Sequence, residues 1–508
     1  LFKLVTKKIN LNGNDLTIEE VVAVARGDRT VALAPSAIKL MNGSRRWVER
    51  AIRKNKIVYG VTTGFGAFQN LTIPREKIAE LQRNLILSHC AGVGEPLSEE
   101  VVRAMMLLRA NALAKGFSGI RVSTVETLLE MVNKRVHPIV PMQGSVGASG
   151  DLAPLSHMVA VLIGEGEAWY KGKRMTGGAA MNAARIKPVV LDAKEGVALI
   201  NGTQTMSAIG VLTLSDAEHL ADVADIAATM SCEAVKGKSA AFDAKVHLLR
   251  PHSGQRVSAR NMRAMMQGSS LIDRSDDDTK GKVQDSYSIR CAPQVHGASR
   301  DAIAYTRNVL ETEINSATDN PLIFAEDSAA ISAGNFHGQP VALAMDFLGL
   351  AIAELGSIAE RRIAKLADKN HNAGLPAFLS HNAGVHSGLM LLQYTAAALV
   401  SENKVLIHPA SGDSIPTSAN QEDHVSMGTI AARQAAEILR NVEQVLAIEL
   451  LCAAQALDFR YEPPGRGTRR AYTAIRKVVK PLEGDRELSN DIARIVELIR
   501  TRVFALPL

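Results

Sequence analysis

The chain has 508 residues, 46% apolar and 22% charged, a balance that excludes a disordered or fibrous polypeptide and leaves ample length for a large core. Its net charge of +6, from 58 Lys and Arg against 52 Asp and Glu, is spread thinly, unlike the dense basic stripe that binds nucleic acid. Aromatics make up only 4% while Ala and Leu are plentiful, which favours packed helices over a sheet of bulky strands.

The N-terminal Leu1-Phe2-Lys3-Leu4-Val5 meets charge at once and lacks an apolar signal core. Lys8 to Asn14 alternates and ends in Asn-Gly-Asn, the pattern of a small strand and turn. From Ser36 the spacing of Ile38, Met41, Trp47, Val48 and Ile52 predicts a helix. Thr72 to Lys77 opens another, and Ser98-Glu99-Glu100 opens a third with a capping hydroxyl and early acids. Long helical periodicities follow: 207–230, 298–315, 341–367, 389–404 and 428–457. Helices of that length pack lengthwise in a bundle. Charged Glu354, Glu360, Arg361 and Arg362 interrupt the one beginning near Val341, so it reads as amphipathic and not as a membrane span. Polar connectors run over 273–282, 371–376 and 408–420, and Arg466, Arg469 and Arg470 beside Pro463-Pro464-Gly465 read as a solvated loop.

Cys90, Cys232, Cys291 and Cys452 are widely spaced with no Cys-x-x-Cys pair, which suits free thiols in the cytoplasm and no zinc site. The thirteen histidines show no metal-ligand spacing, so no catalytic metal is expected. Two Gly-rich segments stand out, 59–66 (Tyr-Gly-Val-Thr-Thr-Gly-Phe-Gly) and 144–157 (Gly-Ser-Val-Gly-Ala-Ser-Gly-Asp-Leu-Ala-Pro-Leu-Ser-His). Neither carries the Gly-Lys-Ser/Thr of a phosphate loop or the dinucleotide fingerprint, so no nucleotide is expected. Asp151 stands where a nucleophile elbow needs glycine. On glycine content alone, both are tight turns opening helices.

The second segment also permits a sharper chemistry. A backbone amide nitrogen attacks the carbonyl two residues back when a turn brings them together, and Gly150 has no side chain to obstruct it. Loss of water from the closed ring and then from Ser149 leaves an exocyclic methylidene on an imidazolone, a strong electrophile.

Residues 147–157 resemble the signature of the aromatic amino-acid ammonia-lyase family. The resemblance extends over nearly the whole chain, through 59–66, 199–204 (Leu-Ile-Asn-Gly-Thr-Gln), 284–291 (Gln-Asp-Ser-Tyr-Ser-Ile-Arg-Cys), 335–338 (Asn-Phe-His-Gly) and 418–427 (Ser-Ala-Asn-Gln-Glu-Asp-His-Val-Ser-Met). It implies a mainly α fold, an elongated helical bundle of the fumarase/aspartase-like type with a smaller mixed N-terminal part. The expected division is 1–195, carrying the Ala-Ser-Gly loop, and 196–508, the long-helix bundle with tetramer core and C-terminal helices. It further implies a methylidene-imidazolone group, MIO, formed autocatalytically from Ala148, Ser149 and Gly150, and a homotetramer whose active sites draw on several chains.

Roles carry over by position. Tyr59 resembles the base at the reacting carbon, and Arg290 the group that holds the substrate carboxylate. Tyr287 and Asn201 resemble the supports of the electrophile, and Gln284 and Phe336 the pocket lining. The run 420–424 (Asn-Gln-Glu-Asp-His) resembles the histidine-specific form, since phenylalanine and tyrosine enzymes generally lack the glutamate at position 422, whereas Ser88-His89 stands where those enzymes often carry Phe-Leu or His-Leu but is shared by some tyrosine enzymes. A carboxylate and an imidazole satisfy both nitrogens of a polar ring, whereas Glu422 against a phenyl ring would be unsatisfied. The implied reaction is elimination of ammonia from L-histidine, giving trans-urocanate, with no nucleic acid or membrane partner. The competing readings are a tyrosine or phenylalanine ammonia-lyase or aminomutase using the same electrophile, and a non-catalytic helical scaffold. Departures from the pattern are small: Ser286 where Pro or Ala is common, and Cys90 beside His89.

Overall fold

The computed structural model describes residues 8–54, 56–58, 60–64, 71–273 and 283–506. The strand at Ile9–Leu11 forms and pairs in parallel with Val31–Leu33. Helices occupy Pro35–Arg53, Ile78–His89 and Glu99–Ala114, the last capped by the Ser98 hydroxyl. The long periodic stretches are helices at Gln204–Ala234, Ala292–Glu313, Gln339–Ala367, Met390–Leu406 and Gly428–Asp458. Ala and Leu, strong helix formers that are not β-branched, recur at helical spacing and explain why these helices run so far. Gln339–Ala367 has the length and apolarity of a membrane span, but 61% of that window is buried within the protein. Strands among the described residues are short and form small sheets, such as His137–Pro138, Glu167–Tyr170 and Lys173–Thr176.

The chain divides into two compact units that interleave along the sequence. The first takes 1–215, 307–346 and 409–433, and the second takes 216–306, 347–408 and 434–508. In the first, Val102 to Ala114 is buried throughout, and Trp47, Val48, Val58, Val61, Ile78 and Ile323 form a separate apolar cluster. In the second, Gly349 and Gly356 let helix Gln339–Ala367 approach Ala435 and Val442 closely. Arg466, Arg469 and Arg470 are exposed but helical, in the first turns of Arg466–Val478, not in a loop. The reason is local: Gly465 donates its N–H to the Glu233 carboxylate at 2.8 Å, which anchors the helix start.

The second unit buries an ionic network. Arg362 forks onto Glu449 at 2.6 and 2.9 Å, and Ser231 donates to the same carboxylate at 2.7 Å. Asp225, fully buried, accepts from Arg300 at 2.6 Å and Asn261 at 2.9 Å, with His296 Nδ1 at 2.8 Å. Burial opposes its charge, but Arg300, His296 and Asn261 together hold its carboxyl down to about 2, below its ordinary 3.8. A depressed carboxyl stabilises the fold above the unfolded value and loses that contribution as pH falls through the folded one. Asp225 is therefore expected to contribute about 2 kcal/mol that disappears between about pH 4 and pH 2. Asp225→Asn should flatten that part of an acid-unfolding curve followed by circular dichroism; an unaltered curve would refute the assignment.

Candidate active site

The turn at 144–151 leaves the strand Pro141–Gln143 and enters the helix Leu152–Leu162. Gly150 has φ +68°, and a β-carbon on it would lie 2.2 Å from the Gly202 carbonyl oxygen, so no other residue fits. The Asp151 N–H donates to that carbonyl at 2.7 Å, clamping the turn to segment 201–203. Ala148 is buried with Val425 and Met427. Asn201, at the end of the short helix Glu195–Ile200, donates through Nδ2 to the Ser149 carbonyl at 3.0 Å and to its hydroxyl at 2.7 Å. The predicted triplet and Asn201 are thus in contact.

The next residue completes the clamp. The buried Asp151 carboxylate accepts the Ser145 hydroxyl at 2.9 Å, the Thr429 hydroxyl, and the N–H groups of Thr205 and Met206, each at 2.9 Å. Those two amides open helix Gln204–Ala234, where a negative charge is favoured by the helix dipole. Behind Asn201 lies Arg109, fully buried, donating to the Asn201 carbonyl and to Gln204 Oε1, both at 2.8 Å. Gln204 passes its own N–H to the Thr318 hydroxyl at 2.9 Å. Burial pushes the Arg109 guanidinium down to about 10, which leaves it charged at neutral pH. A buried Lys194–Asp319 pair at 2.6 Å lies close enough for its charge to act on Arg109.

His89 and Glu422 both belong to the first unit, where the charge of Glu422 acts on His89. His89 ends helix Ile78–His89, with Ser88 Oγ 3.0 Å from its Nδ1. Burial pulls the His89 pKa below 6.5, while the Leu85 backbone and the charge of Glu422 pull it up. Glu422 is half-buried, and its Oε2 accepts the Thr417 hydroxyl at 2.9 Å. Phe336 is half-buried in the same unit. The His337 ring stacks on that of His424 at 5.7 Å, with its Nε2 3.2 Å from the His424 carbonyl and its Nδ1 accepting the Gln339 N–H at 3.3 Å.

Gln284, Tyr287 and Arg290 belong to the second unit. The short helix Tyr287–Arg290 sets the Arg290 guanidinium 4.7 Å from the Tyr287 ring centre. Tyr287 and Gln284 are exposed, and Arg290 pairs with no carboxylate among the described residues. Its Nε is buried without an acceptor, so the guanidinium retains capacity for an anion. Arg362, from the buried network, donates to the Ser288 carbonyl at 3.3 Å and tethers this helix. Tyr59 lies outside the described residues.

Sequence reading missed Arg109, Asp151, Gly202 and Thr417. Asp151 and Gly202 stand inside quoted motifs, and Thr417 adjoins one, so proximity was a usable signal. Arg109 had none: it is one of two buried arginines, with Arg103, in the otherwise largely apolar helix Glu99–Ala114.

The aromatic amino acid lyase family model matches residues 16–477. A histidine ammonia-lyase of Caldanaerobacter subterraneus is 58% identical over 496 residues, 97% of each chain. One of Gloeobacter violaceus is 54% identical over 498 residues, 98% of this chain and 96% of its own. Among solved structures, histidine ammonia-lyase from Trypanosoma cruzi aligns with a TM-score of 0.91 at 42% identity, covering 98% of this chain and 94% of that one. Tyrosine aminomutase from Streptomyces globisporus aligns at 0.94 and 39% identity, covering 98% and 97%. A match of this extent, joined to a glycine turn clamped beneath Asn201, makes the chain a member of the aromatic amino acid lyase family.

Proposed function

We propose that this chain eliminates ammonia from L-histidine and releases trans-urocanate. The observation that carries the choice of substrate is that His89 and Glu422 belong to one unit, near enough for the Glu422 charge to act on His89, and an imidazole with a carboxylate can partner both nitrogens of an imidazole ring. Relatives named histidine ammonia-lyase support it.

The residues at 148–150 fit MIO: Gly150 is bare and left-handed, Ala148 is small and buried, and Asn201 already grips Ser149. When formed, MIO supplies an electrophilic carbon that accepts the substrate amine, which no standard side chain offers. Asn201 Nδ2 holds the Ser149 carbonyl oxygen in place, a donor aimed where negative charge collects. Their places in the motifs give Tyr287 the role of supporting that group, and Gln284 and Phe336 each a role in binding substrate. Arg290 grips the substrate carboxylate with a charge that no protein carboxylate among the described residues quenches. Tyr59, as its phenolate, takes the β-proton and becomes the phenol, the role its place in the motif implies. His89 and Glu422 hold the imidazole, so the β-hydrogen, the α-carbon and the leaving nitrogen are aligned before reaction.

The same reading includes a homotetramer with active sites shared between copies, in a cytoplasmic setting. Phe347, Leu350, Leu391 and Tyr394 of the second unit stand exposed on helices, apolar surface of the kind that neighbouring copies cover. None of the four cysteines, all among the described residues, is in a disulfide.

Purified chain supplied with L-histidine is expected to develop the ultraviolet absorbance of urocanate and release one ammonia per turnover. No absorbance with histidine, but cinnamate, coumarate or a β-amino acid from phenylalanine or tyrosine, would replace this reading with the aromatic lyase or aminomutase one.

A further inference from the structure

One residue, Thr417, holds Glu422 at both its backbone and its carboxylate. The Thr417 N–H donates to the Glu422 carbonyl at 2.9 Å, and the Glu422 N–H returns to the Thr417 carbonyl at 3.2 Å. The Thr417 hydroxyl then donates to Glu422 Oε2 at 2.9 Å. Between them Ser418, Ala419 and Asn420 are all left-handed, with φ of 51°, 52° and 66° and no glycine among them. Such a turn persists only where its surroundings over-determine it. The bridge from 417 to 422 supplies that constraint from inside. From outside, the Asp346 carboxylate accepts the N–H groups of Ala410 and Ser411, and Ser414 Oγ accepts that of Val425.

A free glutamate side chain samples many rotamers, and most would turn its charge toward solvent. With Oε2 engaged by a hydroxyl, rotation of the carboxylate is restricted and Oε1 keeps both of its lone pairs for a ligand. No cation among the described residues pairs with Glu422, so that oxygen is not taken by an ion pair. His89 is near enough for the Glu422 charge to act on it.

We propose that Thr417 is a positioning residue for substrate specificity: its hydroxyl and the left-handed turn 418–420 fix Glu422 so that one carboxylate oxygen accepts the ring N–H of a bound imidazole. The inference rests on the histidine reading and deepens it. A phenyl or phenol ring has no such N–H, so the arrangement adds nothing to the binding of phenylalanine or tyrosine.

Steady-state kinetics of the full chain with L-histidine, and inhibition by trans-urocanate, test it. Thr417→Val keeps the shape and removes the hydroxyl; KM and the inhibition constant should both rise about tenfold, with kcat within about threefold of wild type. Thr417→Ser restores the hydroxyl and should return both constants to within about twofold. Wild-type KM in Thr417→Val, loss of kcat at unchanged KM, or a Ser variant as impaired as Val would each overturn the proposal. If Thr417→Val does not fold, Thr417→Ala against Thr417→Ser decides by the same constants. A wild-type chain that makes no urocanate removes the histidine reading itself, whereas an active wild type with an unaltered Thr417→Val removes only the role of Thr417.

Discussion

Ser149→Ala is expected to abolish ammonia release while leaving the chain folded. The loss should be on the order of a thousandfold or more, equivalent to about 4 kcal/mol of barrier, because no other side chain supplies the electrophile. The fold should tolerate it. Asn201 keeps its bond to the residue-149 carbonyl, the Gly150–Gly202 contact is all backbone, and Asp151 remains fully bonded. Relative to the uncyclised chain, only the hydroxyl contact to Asn201 is lost, worth about 1 kcal/mol. Intact mass separates the possibilities. Wild-type chain should weigh two waters less than its sequence requires, and Ser149→Ala should not show that loss. A wild-type chain at full mass that still makes urocanate would refute the role given to 148–150.

Glu422→Leu should change the substrate preference. It replaces a half-buried carboxylate with an apolar side chain of similar size beside His89. A lost charge-assisted hydrogen bond is worth about 1.5–3 kcal/mol, so kcat/KM for L-histidine should fall by roughly 10- to 100-fold. Turnover of L-phenylalanine or L-tyrosine should be unharmed or improved, because a phenyl ring no longer faces an unsatisfied acid. The decisive quantity is the ratio of kcat/KM values across a substrate panel. A ratio unmoved by Glu422→Leu would mean that His89 alone, or another residue, selects the ring. Glu422→Leu also frees the Thr417 hydroxyl, so the pair should not act additively with Thr417→Val.

The two variants probe different distances along the chain. The triplet 148–150 acts through a turn that its own glycines permit. Glu422 acts through a hairpin-like turn that delivers it to a helix end far away in sequence, so its effect depends on Thr417, Asp346 and Ser414 holding that turn.

That contrast divides what the amino-acid sequence determines from what only the folded chain decides. The long helices were legible because helix formation is local: Ala, Leu and Ile at 3.6-residue spacing predicted 428–457, and the helix spans Gly428–Asp458. The Ala-Ser-Gly turn was legible for the same reason, since Gly150 permits the left-handed backbone that the turn uses. Contacts between distant residues were not. Asn201 meets Ser149 across 52 positions, and Thr429 meets Asp151 across 278. Arg109 gives no local sign that it backs Asn201, and Ser418-Ala419-Asn420 gives none that it is left-handed, because no glycine marks it. Nor does periodicity show that one compact unit gathers three separate stretches of chain. Local propensity reports on neighbours within about a turn of helix; which buried carboxylate meets which hydroxyl is set by packing, where each polar group must find its partner or pay the cost of desolvation.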